Sequence, residues 1–163
     1  MIRLVAIYGS LERDIDVLIV VDKLDELFNV FESILPLKPL DLHILTTETF
    51  NYLIHEDPFY VNVVVNGKIL VKNMKINVNE LKQEAIKKAK ELVEKFCEED
   101  TYKSFMSLVY YYLISLGIFP KDVYEASKIL GYKNIKYAQI SKEALCSKFS
   151  AGKNFSSTST KIN

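Results

Sequence analysis

Two carboxylates one residue apart lead into the most apolar run of this chain: Asp14-Ile15-Asp16, then Val17-Leu18-Ile19-Val20-Val21. Ahead of them a β-branched and aromatic run, Leu4-Val5-Ala6-Ile7-Tyr8, stops at Gly9-Ser10. Short apolar runs punctuated by glycine and polar residues predict two strands joined by a tight turn. Side chains alternate along a strand, so Asp14 and Asp16 share a face and Ile15 takes the other. Two ionised carboxylates side by side repel each other unless a cation sits between them. Mg²⁺ suits such a place, because it takes oxygen ligands from one or two carboxylates plus substrate phosphates. Gly9 lets backbone approach a ligand closely, and a Gly-Ser turn offers N–H groups and a hydroxyl to phosphate oxygens.

An Asp-x-Asp pair at a strand edge is often no more than a solvated pair, and a motif is only a hypothesis. A third carboxylate strengthens it. Leu40-Asp41-Leu42-His43-Ile44-Leu45 alternates apolar and polar residues, which predicts a strand with Asp41 and His43 on one face. If that strand lies beside the first two, three carboxylates converge. His43 itself reads as a hydrogen-bonded structural residue ahead of a substrate contact.

The Gly9-Ser10 turn, the Asp14-Ile15-Asp16 pair and Asp41 together resemble the nucleotidyltransferase superfamily, the DNA polymerase β-like fold, and within it the minimal nucleotidyltransferases. The resemblance implies that Gly9 and Ser10 hold a nucleotide triphosphate such as ATP. It implies that Asp14, Asp16 and Asp41 bind two Mg²⁺ ions, with Asp41 also helping to activate the attacking hydroxyl. The implied activity is transfer of a nucleoside monophosphate to an acceptor hydroxyl, which in antitoxin-like members lies on a partner protein. Only Leu11, Glu12 and Arg13 separate Ser10 from Asp14, where the family has a longer segment. That shortening raises a second expectation: a degenerate nucleotidyltransferase fold that serves as a binding or oligomerisation module.

Composition narrows the class. The chain has 163 residues, 49% of them hydrophobic and 26% charged, which is globular. Lysine plus arginine and aspartate plus glutamate each number 21, so no overall field draws the chain to nucleic acid. Cys97 and Cys146 have no metal-ligand spacing and read as reduced thiols of a cytoplasmic protein. The start runs straight into a strand with no signal-peptide pattern. The apolar stretch from Phe105 to Leu116 is too short and too interrupted to span a bilayer.

The expected class is α+β: a small mixed sheet packed on helices over residues 1–76, a helical bundle over 77–140, and a disordered Ser/Thr/Lys/Asn-rich tail over 141–163. Asp22 is placed to cap a helix bearing Leu24, Leu27, Phe28, Phe31 and Ile34, and Thr46 or Thr47 to cap a short helix through Leu53. His55-Glu56-Asp57-Pro58 reads as a solvated loop. Asn66-Gly67 between Phe59–Val65 and Lys68–Val71 predicts a type I′ hairpin, with Lys68 and Lys72 as solvated edge charges. Leu81, Ala85, Ala89, Leu92, Val93 and Phe96 form an amphipathic stripe, supported by Glu84–Lys88 and Glu91–Lys95 pairs. A second helix, to Leu116, is apolar round most of its surface and must be enclosed, by neighbouring helices or by another subunit. A third runs from Pro120 to Gly131 with Val123, Ala126, Ile129 and Leu130 inward. Tyr110-Tyr111-Tyr112 point in three directions on a helix, which favours packing over a stacking platform.

Overall fold

Ile2–Tyr8 and Ile15–Val21 form strands β1 and β2, antiparallel from Ile2 opposite Val21 to Tyr8 opposite Asp16. Leu40–Thr46 (β3) runs parallel to β2, and Lys68–Lys72 (β4) antiparallel to β1, giving a mixed sheet in the order β3-β2-β1-β4. This computed structural model describes residues 1–9, 15–26, 40–99, 105–131 and 138–157. Ser10, Asp14, and the expected helical positions Leu27, Phe28, Phe31 and Ile34 lie outside the described residues.

The alternation of the strands sorts their side chains. Leu4, Ala6, Leu18 and Val20 face the helices in the main core, while Val17, Ile19 and Val21 pack with Val5, Ile7, Leu42 and Ile44 on the opposite face. β2 is apolar on both sides because it is interior to the sheet.

The helices are α1 (Thr47–Glu56), α2 (Pro58–Asn66), α3 (Val78–Glu98), α4 (Phe105–Ser115), α5 (Val123–Ile129) and α6 (Ala138–Ser157). Fold class is therefore α+β. Thr46 caps α1 as the sequence requires, its hydroxyl accepting from the Thr49 N–H at 3.2 Å.

The type I′ hairpin is wrong. Residues 58–66 are helical, Gly67 sits at φ −67°, and β4 pairs with β1 instead. Two local signals outweigh the β-branched run. Asp57 caps the helix by accepting from the Phe59 N–H at 2.9 Å, and Pro58 occupies the first turn, where its missing N–H costs nothing. Burial of Tyr60, Val61 and Val63 then compensates for the weak helix propensity of valine. Glycine is needed at 67 for proximity: a Cβ there would collide with the Val63 carbonyl oxygen and press on that of Ile7.

His55, Glu56 and Asp57 are likewise not a solvated loop. His55 Nδ1 and Glu84 Oε2 are 2.6 Å apart, Lys88 donates to Glu56 at 2.6 Å, and Asp57 also accepts from the Tyr111 hydroxyl at 2.8 Å. Glu84 and Lys88 thus bind α1 rather than each other, and Lys95 faces Glu99 at 3.9 Å rather than Glu91. The stripe on α3 is as expected, with Leu81, Ala85, Ala89 and Val93 buried. α4 is enclosed by its own chain: Leu108, Val109, Tyr111, Leu113 and Ile114 are all buried, whereas Leu116 is exposed. Gly117 and Gly131 close α4 and α5 in the left-handed region. Ile129 points outward, contrary to its inward assignment.

The tail is also corrected. Ala138–Ser157 is helical, and Leu145 is fully buried in the main core. Cys97 on α3 and Cys146 on α6 form a disulfide, so they are not the reduced thiols expected, and the cytoplasmic assignment loses that support. One apolar core joins Leu4 and Leu18 of the sheet to Leu81, Leu108 and Leu145 of the helices, across the expected boundary at 76. Among the described residues no helix is long and apolar enough to cross a membrane.

Asp22 accepts from Arg3 Nε at 2.7 Å and from the Thr47 hydroxyl at 3.0 Å, and a short 3-10 turn, Leu24–Glu26, follows it; the rest of the helix it is expected to cap lies outside the described residues. The Arg3 hydrogen bond leads in holding its carboxyl down at about 2. A depressed carboxyl stabilises the fold above its ordinary range near 3.8 and loses that effect as pH falls towards 2. Asp22→Asn is expected to lower the melting temperature at neutral pH, and the gap to wild type to close between about pH 4 and pH 2. Urea unfolding of Gly67→Ala is expected to show a loss of about 1–3 kcal/mol from the collision with backbone.

Candidate functional site

Parallel pairing of β2 with β3 sets Asp16 in register with Asp41, and antiparallel pairing with β1 sets Tyr8 opposite Asp16. Registered residues on adjacent strands project from the same face. Tyr8, Asp16 and Asp41 therefore form a row across three strands, on the face that carries Leu4, Ala6 and Leu18 into the core. Asp16 is half-buried and Asp41 exposed at the margin of the sheet.

Gly9 closes the row. Its φ is +79°, in the left-handed region, and a Cβ on it would run into Oδ2 of Asp16. Any side chain at this position would meet both obstacles. The glycine thus does what the sequence suggests in one respect: it lets main chain lie directly against a carboxylate.

An aromatic layer supports the row from beneath. Tyr8 meets Phe59 edge-on at 5.5 Å, Phe59 meets Tyr60 at 5.3 Å, and the Tyr60 hydroxyl lies 3.3 Å from His43 Nε2. His43 is accordingly a hydrogen-bonded member of this layer. Burial raises the Tyr8 phenol to about 12, with Asp16, Asp41 and Tyr60 adding to it. Tyr110 of α4 is also raised, first by burial and then by Asp122, Asp16 and Glu125. Both phenols stay protonated at neutral pH, so each is a hydrogen-bond donor and not a base.

Beside Gly9 a cleft of about 500 Å³ opens between the end of β1, the start of β4, α2 and α4. Ile7, Ile15, Phe59 and Val63 are apolar residues of its lining, and Tyr110, Lys68 and Lys121 line it too. Lys121 is placed by a latch that sequence reasoning missed. Asn62 donates to the Pro120 carbonyl at 2.8 Å, and Asn66 donates to the Phe119 carbonyl at 2.9 Å and to Asn62 Oδ1 at 2.9 Å. Asn62 is only 4% exposed, so its amide depends on these partners. Nothing in the sequence announces this latch, because the signal at Asn66-Gly67 reads more directly as a turn. The tyrosine row does diverge: Tyr110 lines the cleft, Tyr111 stacks on Phe96 at 5.8 Å, and Tyr112 packs against the core.

Two carboxylates in register suit a hard cation such as Mg²⁺ by donor type. Among the described residues no three His, Cys, Asp or Glu side chains gather as a metal cluster. Asp14, the intended third member, and Ser10, the intended phosphate contact, lie outside the described residues. The structure therefore brings together Gly9, Asp16 and Asp41.

Like charges opposite each other on a sheet are destabilising. Asp41→Asn is expected to raise metal-free stability slightly, by up to about 1 kcal/mol, and to abolish any rise in melting temperature on adding Mg²⁺. Scanning calorimetry of both proteins, with and without Mg²⁺, measures the two effects.

No protein-family model, no curated protein and no solved structure matches this chain, so the functional reading is carried by the row at Asp16 and the cleft beside it.

Proposed function

We propose that the protein is a metal-dependent nucleotidyltransferase, moving a nucleoside monophosphate from a nucleoside triphosphate to an acceptor hydroxyl. One observation supports this above the others: Asp16 and Asp41 stand in register on adjacent strands, and Gly9, which packs on the Asp16 carboxylate, also lines the cleft.

In this reading Asp16 and Asp41, with Asp14, hold Mg²⁺. When bound, the ions neutralise phosphate charge and align the attacking and leaving oxygens. The protein's own task is placement, since phosphoryl-type transfer depends on positioning and electrostatics more than on covalent help. Gly9, with Ser10, lets main-chain N–H groups meet phosphate oxygens without a side chain in the way. The acceptor oxygen bonds to the α-phosphorus while the bridge to the β-phosphate breaks, and pyrophosphate leaves with the bridging oxygen. The acceptor proton passes to the exposed Asp41 carboxylate or to water. Asp41 lies at the open margin of the row, which leaves room for a hydroxyl on a partner protein.

The competing reading is a degenerate module that docks through α4. Leu108, Val109, Tyr111, Leu113 and Ile114 of that helix are buried within the chain itself, while Leu116 at its end is exposed.

Labelled nucleoside triphosphate, incubated with the protein, Mg²⁺ and a lysate of its own cell, is expected to label an acceptor. Asp16→Ala is expected to abolish labelling while keeping a cooperative melt. An active Asp16→Ala protein, or the absence of any metal-dependent thermal shift with all common nucleotides, refutes the proposal.

A further inference from the structure

The cleft has two kinds of wall. Part of its lining is apolar, and cations come from two unrelated places in the chain, Lys68 at the head of β4 and Lys121 after α4. Neither ammonium joins an ion pair among the described residues. Lys121 is not a loosely hung surface lysine at the level of its backbone. The latch from Asn62 and Asn66 fixes the two carbonyls just before it, and its own N–H donates to Glu125. Tyr110 adds a phenol that burial keeps in its donor form beside them. Carboxylates approach this end too: Asp122 and Glu125 act on Tyr110, and the backbone N–H groups they accept from, at the cap of α5 and at Lys121, leave both charges in place for the lysines to outweigh.

We infer that Lys68 and Lys121 grip the phosphate tail of the ligand, so that this cleft selects triphosphates over monophosphates. The inference rests on the nucleotidyl-transfer reading for the identity of the substrate. A triphosphate carries more negative charge than the metal pair beside two or three carboxylates can offset, and the two lysines that line the cleft with Gly9 supply the balance. A volume of about 500 Å³ lies within the usual range of small-molecule sites, about 300–1,000 Å³.

Isothermal titration of the full chain with ATP, AMP and inorganic tripolyphosphate, each with Mg²⁺, tests this. Lys68→Ala and Lys121→Ala are each expected to weaken ATP and tripolyphosphate roughly tenfold, the scale of one charged hydrogen bond, and to leave AMP nearly unchanged. Lys121→Arg is expected to restore most of the loss. Raised salt is expected to shrink the difference between wild type and variants. Both lysines are exposed, so their variants are expected to melt as wild type does. Variants that keep the wild-type ratio of ATP to AMP affinity overturn the inference, as does an equal loss for AMP. A wild-type protein that binds neither ATP nor tripolyphosphate overturns both the inference and the proposed function. A protein that binds tripolyphosphate through both lysines, yet transfers no label, overturns only the proposed function.

Discussion

The constraint from which the site follows is the parallel register of β2 on β3. It fixes Asp16 beside Asp41, with no freedom to slip by one residue, because a one-residue shift would turn Leu42 and Ile44 into the helical core and His43 out of it. Hydrophobic sorting on both faces of β2 therefore enforces the side-by-side placement of Asp16 and Asp41. The sheet holds two negative charges at close quarters with the free energy of the apolar residues further along the same strands.

The helices are bound to one another by polar devices as well as by apolar contact. Asp57 serves twice, as the cap of α2 and as acceptor for Tyr111 of α4. Asn62 and Asn66 tie α2 to the turn before α5. α2 is thus the hinge-pin of the molecule. Its inner residues supply Phe59 and Tyr60 to the layer under the acid row, and its outer end shapes the cleft.

Much of the sheet was legible because β1 and β2 are short apolar runs, β3 alternates, and the three are bounded by glycine, carboxylate or threonine. The proximity of Asp16 and Asp41 could be expected only on the condition that their strands were neighbours, and the topology meets that condition. The failure at residues 58–67 has a definite cause. A valine-rich run followed by Asn-Gly obeys every local rule for a hairpin, yet Asp57-Pro58 starts a helix and the crowding around Gly67 ends it. Lys121 and the asparagine latch were invisible, since their meaning comes from contacts more than 50 residues apart. The helical end of the chain was hidden by its polar composition, because Leu145 and Cys146 are too sparse an apolar signal to reveal a docked helix.

The Cys97–Cys146 bridge closes a covalent ring around everything between those residues. Tyr110 and Lys121, the helical wall of the cleft, both lie inside that ring. Cross-linking the ends of a long loop restricts the unfolded chain more than the folded one, so the wall opposite the sheet has fewer ways to come apart. A protease nick anywhere within the ring would leave the two fragments on one molecule, with α6 still fastened to α3.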